Sequence, residues 1–550
     1  MIEAMKRDRV KGFLDVKGKK IVNEDGQEVI LTGWGLGNWL LNEGYMWCSR
    51  GSERFDRPRR IEAVIEELTG KTYADRFFQK FRENYITEED IRYMAELGYN
   101  SVRIPIMSRL FMEEGEHIVF LEEGFRYLDR CLDWCEKYRL YAFIDLHGAP
   151  GGQTGANIDD CVDDMPRLFI DQYQFDKGIA LWKEIAARYC DRWIVGGYDL
   201  LNEPIRPMRA EKDIDVDYLV PRLKEFYEKS IRAIREIDKK HLFSIEGHHW
   251  ASETAVFCKK YDPKMVIHFH RYACLPDKTC LMQFQEIADQ WNCPLWLGET
   301  GENIPEWFTA LYPLAANMGI GYNIWPWKKM DTHNSPCSVK KPKDWDCIID
   351  YTFGAAHPGY EKARRILDEY LENMKLQNCE LLPEVSASVL RQPGCTIRGV
   401  DFDEFPGIGN SFSGSRKEEN PYDFRRGTYM RIVDKEPMRE KQFGFDCNWQ
   451  RFVLELVQGE HAGYSLYDIH QGDTIQLEYE GMEEGICSIF QDGVKLADLS
   501  VKEGSQLSQE IMLREAEDSV IRLQMNSGKA EIAALKTRCY TNHNVFMTAK

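Results

Sequence analysis

YDLLNEP, residues 198–204, is a short apolar run that ends on an amide and a carboxylate. A pair of glycines (196–197) interrupts the chain before the run, and Pro204 cannot continue strand pairing after it. The pattern predicts a buried β-strand that presents Asn202 and Glu203 at its C-terminal end. In a chain of alternating strands and helices, strand ends of this kind form the catalytic face of a (β/α)8 barrel.

A second run, PLWLGE (294–299), is also a short apolar strand that ends on an acid, Glu299. A lone Asn-Glu-Pro would be interpreted as a solvated turn. Two carboxylates at the tips of two barrel strands are instead the groups that glycoside hydrolysis by double displacement requires.

Further strand-like runs recur at the spacing of a βα repeat, with amphipathic helical patterns between them. These six runs lie at 32–35, 100–106, 141–146, 242–246, 266–269 and 321–325, and with 198–201 and 295–297 they make eight. The α/β pattern predicts a (β/α)8 TIM barrel, preceded by a small hairpin over 13–31 with a turn at 25–26. A doubly wound open sheet is the weaker alternative, because no glycine-rich phosphate turn follows an early strand.

The 550 residues are too many for one ordinary hydrophobic core. After about residue 375 the helical periodicity gives way to strand-like runs at 429–433, 452–456, 474–479 and 519–525. We therefore predict a barrel domain over 1–378 and a β-sandwich domain, jelly-roll-like, over 379–550.

Composition excludes some partners. The 71 Lys and Arg against 90 Asp and Glu give a net charge of −19, which argues against nucleic acid and anionic membrane surfaces. No segment approaches the ~20 apolar residues of a membrane span, and the N-terminus has no apolar signal region. The 16 Cys contain no CxxC pair, so we expect reduced thiols and a cytoplasmic location. A secreted chain whose signal peptide had been removed would look the same.

The predicted strand ends bring further polar and aromatic residues to the rim that carries Asn202, Glu203 and Glu299. These residues are Arg103, His147, His270, Tyr272, Trp325 and Lys328. Each alone has a plain structural interpretation. Their shared position at strand C-termini favours a functional one.

The chemistry of glycosidic cleavage suggests a role for each group. One carboxyl must protonate the leaving oxygen while the other attacks the anomeric carbon. Arg103 is suited to keep the attacking carboxylate ionised, and Tyr272 to donate a hydrogen bond to it. Asn202 can donate to the sugar 2-hydroxyl, and Trp325 offers a flat face to the sugar ring.

Several long motifs occur in an order that resembles glycoside hydrolase family 5, in the broad group that includes fungal-type exo-β-1,3-glucanases. The motifs are at 36–43, 100–106, 145–151, 201–204, 270–272, 298–299 and 325–328, and the resemblance covers residues 13 to about 375. It implies that Glu203 is the acid/base, Glu299 the nucleophile and Glu43 a ligand of a terminal sugar. Thr300-Gly301 stands where the exo-glucanases usually carry Trp-Ser, so the substrate stays open.

The C-terminal region resembles carbohydrate-binding module family 6 at 449–452, 462–466 and 520–523. Val400 stands where that family usually has a calcium-ligating glutamate, so the resemblance does not extend to calcium. A sandwich that only braces the barrel is an equal alternative.

We predict a retaining, exo-acting β-glycosidase without cofactor or metal. Trp39 and Glu43, with Tyr45 and Trp47, fall within nine residues of the first loop and could close one end of a groove. An endo-acting glucanase and a non-catalytic carbohydrate-binding barrel are the alternatives. A metal-assisted hydrolase would need a ligand cluster, for which 248–249 and 268–270 are the candidates. The linkage, the aglycone and the oligomeric state stay open.

Overall fold

The computed structural model describes residues 2–210, 213–435 and 449–540. These residues divide into two compact units. The first unit comprises Met1–Arg271, Gln283–Glu302 and Gly319–Leu382. The second comprises Pro383–Lys550 together with two segments from the barrel half of the sequence, Tyr272–Met282 and Asn303–Met318.

The chain begins with helix α1 (Ile2–Met5) and an antiparallel hairpin of β1 (Asp15–Lys17) and β2 (Lys20–Val22). The hairpin turns at 18–19, where Gly18 has φ +65°, a conformation that glycine adopts without strain. The chain also turns at 24–26, as predicted, and an antiparallel bridge joins Val22 to Glu28, but residues 29–31 form no strand.

Eight parallel strands close into a barrel in the order β10-β3-β4-β5-β6-β7-β8-β9, which confirms the predicted fold class. Nearly every residue of these strands is buried, as expected for strands that are covered on both faces. The strands are β3 (Thr32–Gly35), β4 (Ser101–Met107), β5 (Tyr141–Gly148), β6 (Val195–Asp199), β7 (Leu242–Glu246), β8 (Met265–Arg271), β9 (Leu295–Gly301) and β10 (Gly321–Trp325).

Helices occupy the connections between these strands. They are α2 (Pro58–Thr69), α3 (Lys71–Tyr85), α4 (Glu88–Glu96), α5 (Glu122–Tyr138), α6 (Arg167–Ile170), α7 (Gln172–Tyr189), α8 (Val220–Arg235), α9 (His248–Ala251), α10 (Thr279–Trp291) and α11 (Pro305–Asn317). The chain continues through α12 (Asp346–Thr352) and α13 (Tyr360–Asn373). A small three-stranded sheet joins β11 (Lys328–Met330), β12 (Cys337–Val339) and β13 (Glu380–Leu381).

The second unit contains α14 (Pro383–Leu390) and an antiparallel β-rich domain, as the strand-like runs predict. Its described strands are β14 (Thr396–Arg398), β15 (Phe412–Ser413), β16 (Arg431–Asp434), β17 (Phe452–Val457), β18 (His461–Ile469), β19 (Thr474–Gln491), β20 (Val494–Val501), β21 (Gly504–Leu507), β22 (Ile511–Met512) and β23 (Ala516–Arg538). The long strand β23 pairs with β14, β17, β18 and β19. No helix in the described part of the chain is long and apolar enough to cross a membrane.

Candidate active site

Two glutamates and a histidine meet at the C-terminal ends of the barrel strands. Glu299 lies within β9, and Glu203 lies in the loop after β6. The His270 Nδ1 atom is 2.7 Å from Glu203 Oε1 and 3.8 Å from Glu299 Oε1. One carboxylate oxygen of each glutamate and one imidazole nitrogen lie within 4.8 Å of one another. The structure thus brings together the two carboxylates that the sequence singles out.

The guanidinium of Arg103, fully buried on β4, holds the residues around it in place. Its Nη1 donates to Glu299 Oε2 at 2.5 Å, and its Nε donates to Asp199 Oδ2 at 2.7 Å. The Nη2 group donates to Glu246 Oε1 at 3.1 Å and to Asn202 Oδ1 at 2.8 Å. A planar guanidinium is suited to this task because its five N–H groups point in fixed directions.

A polar chain fixes the orientation of Asn202. The Asp145 Oδ2 atom is 2.7 Å from His147 Nδ1, and His147 Nε2 is 3.1 Å from Asn202 Nδ2. With the Nδ1 proton directed at Asp145, His147 Nε2 accepts a hydrogen bond from the amide. Asn202 Oδ1 accepts a hydrogen bond from Arg103, so both the oxygen and the nitrogen of the amide have a partner. This arrangement leaves one amide proton for a ligand.

The loop that carries Glu203 is held in an uncommon backbone conformation. Glu203 has φ +43° and Ile205 has φ +56°, which non-glycine residues adopt at a cost of about 1–3 kcal/mol each. Thr154 Oγ1 donates to the Glu203 carbonyl at 2.7 Å, and Gln153 Nε2 donates to the Asn202 carbonyl at 2.8 Å. The loop after β5 therefore fixes the backbone that aims the Glu203 side chain.

Burial and neighbouring charges set the protonation of these groups. Burial raises the pKa of Glu203 above its ordinary value, although the hydrogen bond from His270 works in the opposite direction. For His270, burial works to lower the pKa, but Glu246, Glu299 and Glu203 together raise it well above the ordinary value. The result is a carboxyl that retains its proton more readily than a solvated glutamate, next to a histidine that tends to stay charged.

A second histidine lies behind His270. The two Nε2 atoms are 3.1 Å apart, and His268 Nδ1 lies 2.8 Å from Ser244 Oγ and 3.1 Å from Asp199 Oδ1. Gly298 makes room for this ring, since a Cβ atom there would lie 2.1 Å from His268 Nε2. The two imidazoles connect Glu203 to the acids around Arg103.

Trp325 at the end of β10 forms an aromatic wall. Its Nε1 donates to the Tyr45 hydroxyl at 2.9 Å, and its ring stacks on His147 with centroids 5.2 Å apart and planes at 4°. A Cβ atom on Gly35 or Gly37 would lie 2.5 or 2.7 Å from the indole. These two glycines are therefore needed to accommodate the ring.

Glu43 is an unpaired acid in the loop after β3. It is 3% exposed, and its Oε1 has no hydrogen-bond partner among the described residues. Burial, with the negative charges of Glu299, Glu302 and Glu203, raises its pKa well above the ordinary value. A buried acid without a partner is costly, so its placement suggests that a ligand supplies the missing partner.

Lys328 and Trp39 make their polar contacts away from this cluster, whereas the predicted role of Tyr272, a residue of the second unit, stays a prediction. Lys328 is fully buried, and its Nζ binds Asp90 Oδ1 at 2.6 Å and the Tyr85 carbonyl at 2.8 Å. Trp39 donates its indole N–H to the Arg82 carbonyl at 2.8 Å. Tyr272 belongs to the second unit, where its carbonyl accepts from Asn303 Nδ2 at 3.2 Å.

Sequence reasoning missed the acids that surround Arg103. Asp145, Asp199 and Glu246 are fully buried on strands β5, β6 and β7. The available signal was a charged residue inside an otherwise apolar run, as in FIDLH, YDLL and LFSIE. Such residues are costly in a barrel core unless they are paired.

Three groups of described residues have nitrogen and oxygen atoms close enough to hold a metal ion. Two of them, Glu246 with His268 and His270, and Glu203 with His270 and Glu299, belong to the cluster described above. The third, Asp217 with His248 and His249, lies on other loops.

Comparison with known proteins agrees with the site. Residues 67–331, which contain seven of the eight barrel strands, match the family model described as Cellulase (glycosyl hydrolase family 5). This part of the barrel is therefore similar to glycosyl hydrolase family 5.

Two curated proteins illustrate the similarity. The chain is 34% identical over 245 residues to a beta-xylosidase of Phanerodontia chrysosporium, covering 44% of this chain and 48% of that one. It is 27% identical over 332 residues to a glucan 1,3-beta-glucosidase of Lachancea kluyveri, covering 56% of this chain and 72% of that one. The chain spans about half the length of several curated relatives it matches. Among solved structures, endogalactoceramidase has a TM-score of 0.47 at 14% identity, covering 95% of this chain and 99% of that one.

Proposed function

We propose that this protein is a retaining β-glycoside hydrolase that cleaves β-glucosidic linkages in oligosaccharides or glucosides. The observation that carries the proposal is the pair Glu203 and Glu299, with carboxylate oxygens within 4.8 Å of each other at the barrel rim. Carboxyl groups about 5 Å apart suit double displacement, whereas inversion needs roughly 6.5–9.5 Å to admit a water molecule. The family 5 match supports the same class of reaction.

In the first step, the Glu299 carboxylate attacks the anomeric carbon and Glu203 gives its proton to the leaving oxygen. The raised pKa of Glu203 favours the protonated form that this step needs. Arg103 donates to Glu299 Oε2 and so orients the nucleophile. Asn202, fixed by Arg103 and His147, directs its remaining amide proton at the sugar.

In the second step, the Glu203 carboxylate removes a proton from water, which attacks the anomeric carbon and releases Glu299. Loss of the proton in the first step converts Glu203 from an acid to a base. His270, 2.7 Å from Glu203, can then stabilise the carboxylate by donating its Nδ1 proton.

Exo cleavage is the favoured mode, because Glu43 is a buried acid with an unsatisfied oxygen in the loop after β3. Such a carboxylate can accept hydrogen bonds from the hydroxyls of a terminal sugar. Endo cleavage would require the polysaccharide to extend past the Glu43 carboxylate. Early viscosity loss with few new reducing ends on a long β-glucan would favour endo cleavage, and steady release of small sugars would favour exo cleavage.

The test uses aryl β-glucosides and β-xylosides, with proton NMR to follow the anomer released first. We expect a product of retained β configuration. Glu299→Gln should abolish turnover, and Glu203→Gln should lower kcat by about 10²–10⁴-fold on substrates with poor leaving groups. Glu184→Gln, which alters an ion pair with Arg188 on α7, is the control. An α product, or full activity of Glu299→Gln, would refute the proposal.

The second unit has a separate candidate role as a carbohydrate-binding module, which its antiparallel β-rich architecture allows. Affinity electrophoresis of the full chain in gels with and without soluble β-glucan tests this role. Retardation that persists when the active site is blocked by a small inhibitor would support it.

A further inference from the structure

A second cluster of ligating side chains lies on the loops that follow β6 and β7. Asp217 precedes α8, and His248 and His249 are consecutive residues directly after β7. One ligand atom from each of the three lies within 4.8 Å of the others. His249 Nε2 is 2.6 Å from Asp217 Oδ1, and the two imidazole centroids are 4.4 Å apart.

His248 has a nitrogen that the protein does not satisfy. The residue is 7% exposed, and its Nδ1 is buried without a hydrogen-bond partner among the described residues. A buried polar atom without a hydrogen-bond partner is energetically costly. An imidazole nitrogen with a free lone pair is a common metal ligand.

The backbone after β7 is bent so that two adjacent side chains approach the same point. His249, Trp250 and Ala251 have φ of +52°, +55° and +55°, three consecutive non-glycine residues in the left-handed region. The His249 N–H donates to the Ile205 carbonyl at 2.8 Å, which anchors the bend to the loop of Glu203. Strain of this kind persists where surrounding structure fixes it, and it is common at binding sites.

We propose that Asp217, His248 and His249 form a binding site for a divalent transition metal of the Zn²⁺ class. Two imidazoles and one carboxylate are a donor set of Zn²⁺, with a water molecule in the fourth position. Calcium and magnesium prefer oxygen ligands, so the two imidazoles disfavour them. The Asp217 side chain is 47% exposed and the His249 side chain 24%, so an ion can reach the site from solvent.

The site has a structural consequence that does not depend on the glycosidase proposal. Asp217 and Ile205 belong to the connection between β6 and α8 that also carries Glu203, whereas the histidines follow β7. A bound ion joins these two connections. It should therefore raise the thermal stability of the full chain according to its concentration relative to its dissociation constant.

The test is binding of Co²⁺ and Zn²⁺ to the untagged, reduced, metal-stripped full chain, followed by Co²⁺ absorption and calorimetry. We expect one equivalent of metal with visible d–d bands and without near-ultraviolet thiolate bands. His249→Asn and Asp217→Asn should each weaken binding at least about tenfold. Asparagine tolerates the left-handed backbone at 249, and unchanged metal-free melting would verify folding.

The matched control is His470→Asn, which alters a half-buried histidine 3.5 Å from Asp468. This histidine belongs to none of the three groups of possible metal ligands among the described residues. It should leave metal binding unchanged. The proposal is overturned if the wild type binds no metal, if binding survives in both site variants, or if thiolate bands show that cysteines hold the ion. None of these readouts uses hydrolytic activity, so they are independent of the proposed function.

Discussion

The guanidinium of Arg103 lies within 3.2 Å of four carboxylates, those of Asp145, Asp199, Glu246 and Glu299. All five side chains are almost completely buried. One positive charge cannot neutralise four acids, so the site must hold extra protons on its histidines or carboxyls. Burial raises the pKa of Glu203, with smaller contributions from Glu299 and Glu246. The surrounding acids raise the pKa of His270.

His270→Phe should shift the pH dependence of activity. The hydrogen bond and charge of His270 stabilise ionised Glu203, so their loss should raise the pKa of Glu203 further. Since the proposed acid must be protonated, the basic limb of kcat/KM should move to higher pH. The profile should be measured with an alkyl β-glucoside, whose leaving oxygen needs protonation. His357→Phe, at an exposed position, should leave the limb in place, and a basic limb of His270→Phe that moves to lower pH would contradict the assignment.

Glu43→Gln should lower activity without lowering stability. The amide keeps the shape of the side chain but removes a charge that the protein leaves unpaired at Oε1. We expect the free energy of unfolding to be unchanged within about 1 kcal/mol or higher, because an unpaired buried acid is removed. For a terminal glucoside, kcat/KM should fall about 10–100-fold, because the substrate would lose a hydrogen bond to a charged group. Such a bond contributes roughly 1.5–3 kcal/mol to transition-state binding. Urea unfolding and steady-state kinetics measure the two effects, and undiminished kcat/KM would exclude Glu43 from sugar binding.

At the scale of elements, the strands were predictable from their apolar runs, and the loops were not. The fourth barrel strand, β6, ends at Asp199, so Asn202 and Glu203 lie in the loop beyond it. Their chemistry was still predictable, because a second apolar run ends on another carboxylate, Glu299. The left-handed φ of Glu203 and the support from Gln153 and Thr154 depend on contacts between residues about 50 positions apart, which no local pattern reports.

Lys328 shows how strand position alone can mislead. It follows β10 by three residues, at the rim that the sequence predicts, yet its ammonium group is directed to Asp90 at the start of α4. Asp90 Oδ2 also accepts the Thr87 N–H at 2.9 Å and so caps this helix. The lysine therefore holds a helix terminus in place, which periodicity could not reveal.

Lys328→Met should accordingly destabilise the barrel. It would leave Asp90 as a buried acid without its cationic partner, at an expected cost of about 3–5 kcal/mol in the free energy of unfolding. Urea denaturation measures this loss, and kcat/KM of the protein that remains folded should be close to that of the wild type. Lys341→Met, which removes a partly exposed ion pair with Asp346, should cost less than about 1 kcal/mol. If Lys328→Met folds as stably as the wild type but loses activity, Lys328 contributes to the active site, as the sequence predicts.

At the scale of the whole molecule, the two compact units are interleaved along the chain. Tyr272–Met282 and Asn303–Met318, which flank β9 in sequence, belong to the second unit. Within that unit, Asp277 Oδ2 accepts the Arg425 N–H at 2.8 Å, and Thr309 Oγ1 donates to the Thr396 carbonyl at 3.2 Å. A change in composition near residue 375 indicates where a β-rich region begins. It cannot show that two segments between barrel strands belong to the same compact unit as that region.

The interleaved path predicts the result of removing the C-terminal region. Truncation after Leu382 deletes α14 and β14, which contact α11 within the second unit. Trp307, Phe308, Leu311 and Tyr312 of α11 are fully buried in the intact chain. Exposure of these side chains, each contributing about 1.5–3 kcal/mol when buried, should make the truncated chain insoluble or strongly destabilised. The soluble yield and melting temperature of the truncated chain measure the effect. Co-expression of residues 383–550 as a separate chain should restore soluble protein and activity on small glucosides. A truncated chain that is soluble and as stable as the full chain would show that the barrel folds independently and would leave glycan binding as the role of the second unit.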